Sequence, residues 1–151
     1  MQKKIYLSSD HGGFNLKEQI FDYLCRKNFN AHNLGTNSLD SVDYPDYSKL
    51  VVNKIKSQPN AFGILICGTG IGMSISANRH DQIRAALCTD IKMAKLSRQH
   101  NNANVLVLGG RILQLKLAKK IVDAFIDSDF ESGRHERRLK KLTNKRKYNA
   151  R

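Results

Sequence analysis

Cys67 is followed at once by Gly68, Gly70 and Gly72, with Thr69 and Ile71 between them. A thiol beside backbone stripped of Cβ atoms can serve as a proton carrier or nucleophile, and the bare amides can steady an anion that forms next to it. The spacing excludes two familiar glycine motifs. A dinucleotide fingerprint needs glycine five positions after the first, where Met73 stands, and a P-loop needs Gly-Lys-Ser/Thr, which is absent. What remains is a cradle for a small anion or oxyanion.

Other residues could join that chemistry, and each has a bland reading beside it. Asp10 and His11 precede Gly12-Gly13 and offer a carboxylate and an imidazole, yet Asp before a helix is commonly a cap and His11 an exposed loop residue. His100-Asn101-Asn102 closes a helix, where His is favoured by the helix dipole and Asn by capping. Arg111 reads as a surface residue, and Arg134, Arg137 and Arg138 share a helix side as a solvated basic face or a phosphate clamp. Cys67 alone reads as a small core hydrophobe. Singly, each bland reading wins; gathered at one sheet edge, they point to a site.

The elements that must position these groups follow from hydrophobic periodicity. Phe62 to Ile66 is apolar apart from Gly63, as in a parallel strand covered on both faces, and Ile71 to Arg79 supplies the next helix. Lys4 to Ser8, Asn30 to Leu34, Arg84 to Cys88 and Asn104 to Leu108 read as four further strands. Between them lie helices marked by Leu16, Ile20, Phe21 and Leu24, by a start near Asp46 after Tyr44-Pro45, by Asp90 to His100 with Ile91, Ala94 and Leu96 inward, and by Ile112 to Ile126. Gly133 precedes a basic C-terminal helix with Leu139 and Leu142. This alternation predicts a single doubly wound α/β domain with a five-stranded parallel sheet. The common order 2-1-3-4-5 sets strands one and three side by side, which brings Asp10 and His11 to Cys67.

Composition agrees with one globular domain: 151 residues, 40% hydrophobic and 26% charged. No run of about 18 apolar residues asks for a membrane, and Met1 to Leu7 enters a strand without a signal-peptide pattern, so a cytoplasmic protein is expected. Cys25, Cys67 and Cys88 are too widely spaced for a disulfide framework or a paired-cysteine zinc site, and no histidine spacing requests a metal. The net charge of +13 falls to +7 without the six basic residues after Leu139, four of which lie in a basic tail at 143–151. That tail lacks interleaved aromatics other than Tyr148, which argues against specific nucleic-acid binding.

Five motifs in order, Ser9-Asp10-His11-Gly12-Gly13, Asp43-Tyr44-Pro45, Ile66 to Gly72, Ser97-Arg98-Gln99-His100-Asn101 and Gly133-Arg134-His135 with Arg138, resemble type B ribose-5-phosphate isomerases over about residues 3 to 142. The resemblance implies a cofactor-independent, metal-free aldose-ketose isomerase that interconverts ribose 5-phosphate and ribulose 5-phosphate. It implies that Cys67 is the base and that the amides of Gly68, Thr69, Gly70, Ile71 and Gly72 hold the enediolate. His100 is then the ring-opening group, Thr69 and Asp10 assist, and Asn101 contacts the sugar. Phosphate and sugar contacts fall to His11, Arg111, Arg134 and Arg138. The family's homodimers or homotetramers share sites between subunits, so the distal arginines are expected to act in trans. Related members take allose 6-phosphate or galactose 6-phosphate; a phosphate-binding module without catalysis is the competing reading.

Overall fold

The computed structural model describes residues 2–143, so the expected tail lies outside the described residues apart from Thr143. Five strands alternate with helices: β1 (Lys4–Ser9), α1 (Phe14–Arg26), β2 (Asn30–Asn33), α2 (Tyr44–Ser57), β3 (Phe62–Cys67), α3 (Ile71–Asn78), β4 (Ala85–Leu87), α4 (Ile91–Asn101), β5 (Val105–Gly109), α5 (Leu115–Asp127) and α6 (Arg134–Thr143). A 3-10 turn, His11–Gly13, sits between β1 and α1. All strand pairs are parallel.

Period-two alternation along the central strands builds a core on each face of the sheet. Ile5, Leu7, Ile64, Ile66, Leu106 and Leu108 turn to one side, where Leu16, Ile20 and Leu24 of α1 and Ala118, Ile121, Val122 and Phe125 of α5 cover them. Tyr6, Leu65, Cys67, Val105 and Val107 turn to the other, under Val51, Val52 and Ile55 of α2 and Met73 and Ala77 of α3. The doubly wound parallel sheet is therefore as expected.

The order of the last two strands is not. The sheet runs β2-β1-β3-β5-β4, rather than 2-1-3-4-5. Burial explains the exchange: β5 is buried along its whole length, and such a strand needs neighbours on both edges. β4 has three half-buried residues and suits the sheet margin. This exchange matters for the site, because Cys67 now pairs with Gly109 and the chain leaving β5 passes the glycine loop.

Two helix readings also change. Ile91, expected to face inward, is 41% exposed at the start of α4, while Ala94 is buried. The helix expected from Ile112 begins only at Leu115, since Ile112 and Leu113 both donate backbone N–H bonds to the Gly109 carbonyl and continue a turn. Among the described residues no helix is long and apolar enough to cross a membrane.

Candidate active site

β1, β3 and β5 end side by side, and their following loops interlock through backbone atoms. Asp10 N–H donates to the Ile66 carbonyl at 3.3 Å, Gly110 N–H to Cys67 O at 2.7 Å, and Arg111 N–H to Gly68 O at 2.9 Å. A Cβ on Gly12 would lie 3.0 Å from the Gly68 nitrogen, so the first and third loops touch. This is the carboxyl edge, where open α/β sheets bind ligands.

Within it, the buried Cys67 Sγ accepts a hydrogen bond from Gly70 N–H at 3.1 Å. Gly70 holds φ at +83°, and a Cβ there would lie 2.5 Å from Leu87 Cδ1 and 3.1 Å from Leu108 O, so the turn that aims this amide at sulfur requires glycine. Gly70 is also the N-cap of α3 and brings no side chain to its first-turn amides. First-turn amides lie outside the intrahelical ladder, which makes them candidate donors for an anion. Thr69 is exposed, and its Oγ1 accepts from Ile71 N–H at 3.3 Å.

Asp10 is buried, and its Oδ1 accepts from Gly13 N–H at 3.1 Å, so the capping role anticipated for it is real. Its position beside the Gly12–Gly68 contact leaves it within the site as well. His11 Nδ1 accepts from Val42 N–H at 3.2 Å, which assigns the ring proton to Nε2 and makes that nitrogen a donor. Arg111 reaches back over the loop: a Cβ on Gly68 would lie 3.2 Å from its Nη1. Cys67, Thr69, Asp10, His11, Gly68, Gly70, Ile71, Gly72 and Arg111 thus form one cluster.

The remaining candidates stand elsewhere, and the expectation of a single sheet edge is corrected here. In a parallel sheet the connecting helix runs back against the strands, so α4 ends at the amino edge. The buried Arg98 confirms this, with its guanidinium 4.7 Å over the ring of Phe62 at the start of β3. Cys67 is five residue steps along the strand from Phe62, roughly 16 Å at the usual rise. His100, Asn101, Arg134 and Arg138 therefore belong to a second cluster at the amino edge. There His100 stacks on His135 of α6, with ring centroids 4.3 Å apart and planes 14° apart.

Two residues of the clusters lay inside the five motifs without a role assigned to them, and Glu131 lay outside. Tyr44 at the start of α2 lays its ring against Gly72, where a Cβ would lie 2.9 Å from Tyr44 Cζ. Its position beside Pro45 at a helix start was the available signal. Glu131 and His135 flank His100; their i, i+4 spacing was legible, but the loop carrying Glu131 had no pattern. Burial, with His100 and then Arg134 and Arg138 beside it, lowers the His135 pKa from the usual histidine value, while Glu131 opposes.

Sheet order, glycine loop and a thiol under an amide define a doubly wound α/β protein with a thiol and an anion cradle at the carboxyl edge of its sheet. The ribose/galactose isomerase family profile matches residues 5–142. The chain belongs to that family. It is 44% identical over 141 residues to ribose-5-phosphate isomerase B of Escherichia coli, covering 93% of this chain and 95% of that protein. A ribose 5-phosphate isomerase structure from Thermotoga maritima superposes with a TM-score of 0.93 at 53% identity, covering 95% of this chain and 99% of that one. A Mycoplasma genitalium ribose-5-phosphate isomerase B, solved with bound ribulose 5-phosphate, gives 0.92 at 44%, covering 97% and 98%.

Proposed function

We propose that the chain interconverts D-ribose 5-phosphate and D-ribulose 5-phosphate, with Cys67 as the base. The observation that carries this reading is the Cys67 Sγ to Gly70 N–H contact at 3.1 Å, at the entrance to a helix without a side-chain cap. The proton-accepting form of Cys67 is the thiolate, for which this N–H is a ready hydrogen-bond donor. That thiolate takes the proton from C2 of the open aldose and returns one to C1, while a second proton passes between O1 and O2. Charge gathers on the enediolate oxygen only as the proton leaves, and amides already fixed in the loop meet it without reorganising. Thr69 and Asp10 serve as hydroxyl and carboxylate partners for the proton between the two oxygens.

Ring opening and phosphate binding require the second cluster. His100 is the acid-base group for the closed furanose, Asn101 holds a sugar hydroxyl, and Arg134 and Arg138 bind phosphate with His11 and Arg111. Guanidinium groups suit phosphate because their planar fork donates in pairs. The separation of the two clusters supports a homodimer or homotetramer in which a second copy supplies His100, Asn101, Arg134 and Arg138 to the Cys67 site. Cytoplasmic residence is in keeping with Cys25, Cys67 and Cys88 all being free.

The test is turnover of ribose 5-phosphate by the purified protein in a chelator, beside the Cys67→Ala variant and with allose 6-phosphate as second substrate. Chelator-resistant turnover that vanishes in the variant is expected. Preference for allose 6-phosphate moves the substrate but keeps the thiol mechanism, and no turnover of either sugar favours a phosphate-binding module.

A further inference from the structure

The amino-edge cluster holds more than a ring-opening histidine. His100 comes from the last turn of α4, and the loop before α6 is tied to it by the Glu131 N–H, which donates to the Gln99 carbonyl at 3.0 Å. His135, buried in the first turn of α6, stacks beneath His100. Both imidazole Nε2 atoms lie 3.9 Å from Glu131 Oε2, too long for hydrogen bonds. The three donor atoms all fall within 4.8 Å of one another.

We infer that His100, Glu131 and His135 form a binding site for a divalent ion of the zinc class, and that filling it inhibits the enzyme by occupying His100. Two imidazoles and one carboxylate, with positions left open, are a common donor set for zinc. At these spacings a central ion sits about 2.5 Å from each donor, so closing by roughly half an ångström reaches the usual ~2.0–2.2 Å. Stacked rings do not aim their lone pairs at one point, so one must turn. His100 is half-exposed and has room to do so, whereas His135 is held.

Charge sets the affinity. Arg134 and Arg138 stand on the same helix as His135. The same Arg134 and Arg138 repel a cation, so micromolar rather than nanomolar binding follows. Inhibition, as distinct from binding, rests on the functional reading that gives His100 the ring-opening step.

The experiment uses the full-length protein, stripped with chelator and freed of it. Co2+ is titrated as a spectroscopic probe, and Zn2+ is titrated against ribose 5-phosphate turnover. Expected are visible cobalt bands without a thiolate charge-transfer band, and reversible Zn2+ inhibition in the micromolar range. Glu131→Gln should need about tenfold more of either ion, inhibition being read against the variant's own metal-free turnover, as should His135→Gln in the cobalt titration. A thiolate band, or cobalt binding lost in Cys67→Ser but unaltered in Glu131→Gln, places the ion on Cys67 and overturns the inference. Cobalt binding without Zn2+ inhibition overturns the regulatory half. Metal-free turnover tests the isomerase reading and the cobalt spectrum tests the ion site, so either can fail alone.

Discussion

The Arg98 guanidinium lies 4.7 Å over the ring of Phe62, and Phe62 begins the strand that Cys67 ends. His100, two residues beyond Arg98, is thereby fixed at the edge of the sheet opposite the thiol. Under the proposed function, the two groups meet one sugar only across two subunits. Cys67→Ala and His100→Asn are each expected to abolish turnover alone. Unfolding and refolding them together in equal amounts should restore about one quarter of wild-type activity, because half the twofold dimers are mixed and each mixed dimer has one intact site. No recovery, with mixed dimers confirmed by mass, would show that the two groups do not share a site across subunits.

Cys67→Ser keeps the size of the side chain and its place over Gly70 N–H, and replaces a thiol by a hydroxyl that is a far weaker proton acceptor near neutral pH. Loss of a positioned general base costs on the order of a hundred- to ten-thousand-fold in rate. The expected split is a fall in kcat with KM nearly unchanged, and a melting temperature close to that of the wild type. An equal loss in KM alone would assign Cys67 to binding.

Gly70→Ala tests the loop. Its φ of +83° strains any other residue, and the new Cβ would meet Leu87 and the Leu108 carbonyl. We expect destabilisation of about 1–3 kcal/mol in urea unfolding, together with a loss of activity, since the amide that meets Cys67 must shift. Gly72→Ala should behave differently, because its Cβ meets the Tyr44 ring, which is partly exposed and can yield.

How much of this was legible differs residue by residue. β3 and its glycine loop announced themselves because a strand buried on both faces reads as an unbroken apolar run, and because alternating glycines have few structural uses. The β5–β4 exchange was hidden: both are short apolar runs, and which one is central depends on burial along the whole strand. That exchange is what carries Arg111 to Gly68. The gathering of all candidate groups at one edge failed for a simpler reason, that a helix returning along a parallel sheet ends at the far side. Motif order contains no such direction, and a topology had to be drawn before His100 could be placed.

Arg98 offers a stability test of the same geometry. It donates to the Ala103 carbonyl at 2.6 Å, to Asn102 Oδ1 at 2.9 Å and to the Ser128 carbonyl at 3.2 Å. Its bonds thus close the end of α4 against the loop that carries Glu131. Arg98→Met preserves the stem over Phe62 but orphans the buried Ala103 carbonyl, which costs about 1–3 kcal/mol. Urea unfolding should show that loss, and turnover at a temperature where the variant stays folded should fall further through KM, since Asn101 and His100 lose their support. Arg98→Lys should recover only part, lacking the planar fork.

Lys17 is fully buried, and its Nζ donates to Glu18 Oε1 at 2.7 Å, Asn33 Oδ1 at 2.8 Å and the Thr36 carbonyl at 2.7 Å. The clamp fixes the root of the segment whose Val42 N–H orients His11. Burial pushes the Glu18 carboxyl up, but hydrogen bonds from Lys17 and Asn33 and the Lys17 charge outweigh it, so its pKa lies below the usual 4.5. A carboxylate with a depressed folded-state pKa contributes stability above its unfolded value and loses it as pH falls. Unfolding free energy should therefore hold down to about pH 5 and decline through the ordinary carboxylate range and below. Glu18→Gln should show a shallower decline over that window with little change at pH 7.5, because the site is partly exposed and screened. An identical pH slope in the variant would mean that the acid sensitivity arises from other carboxylates.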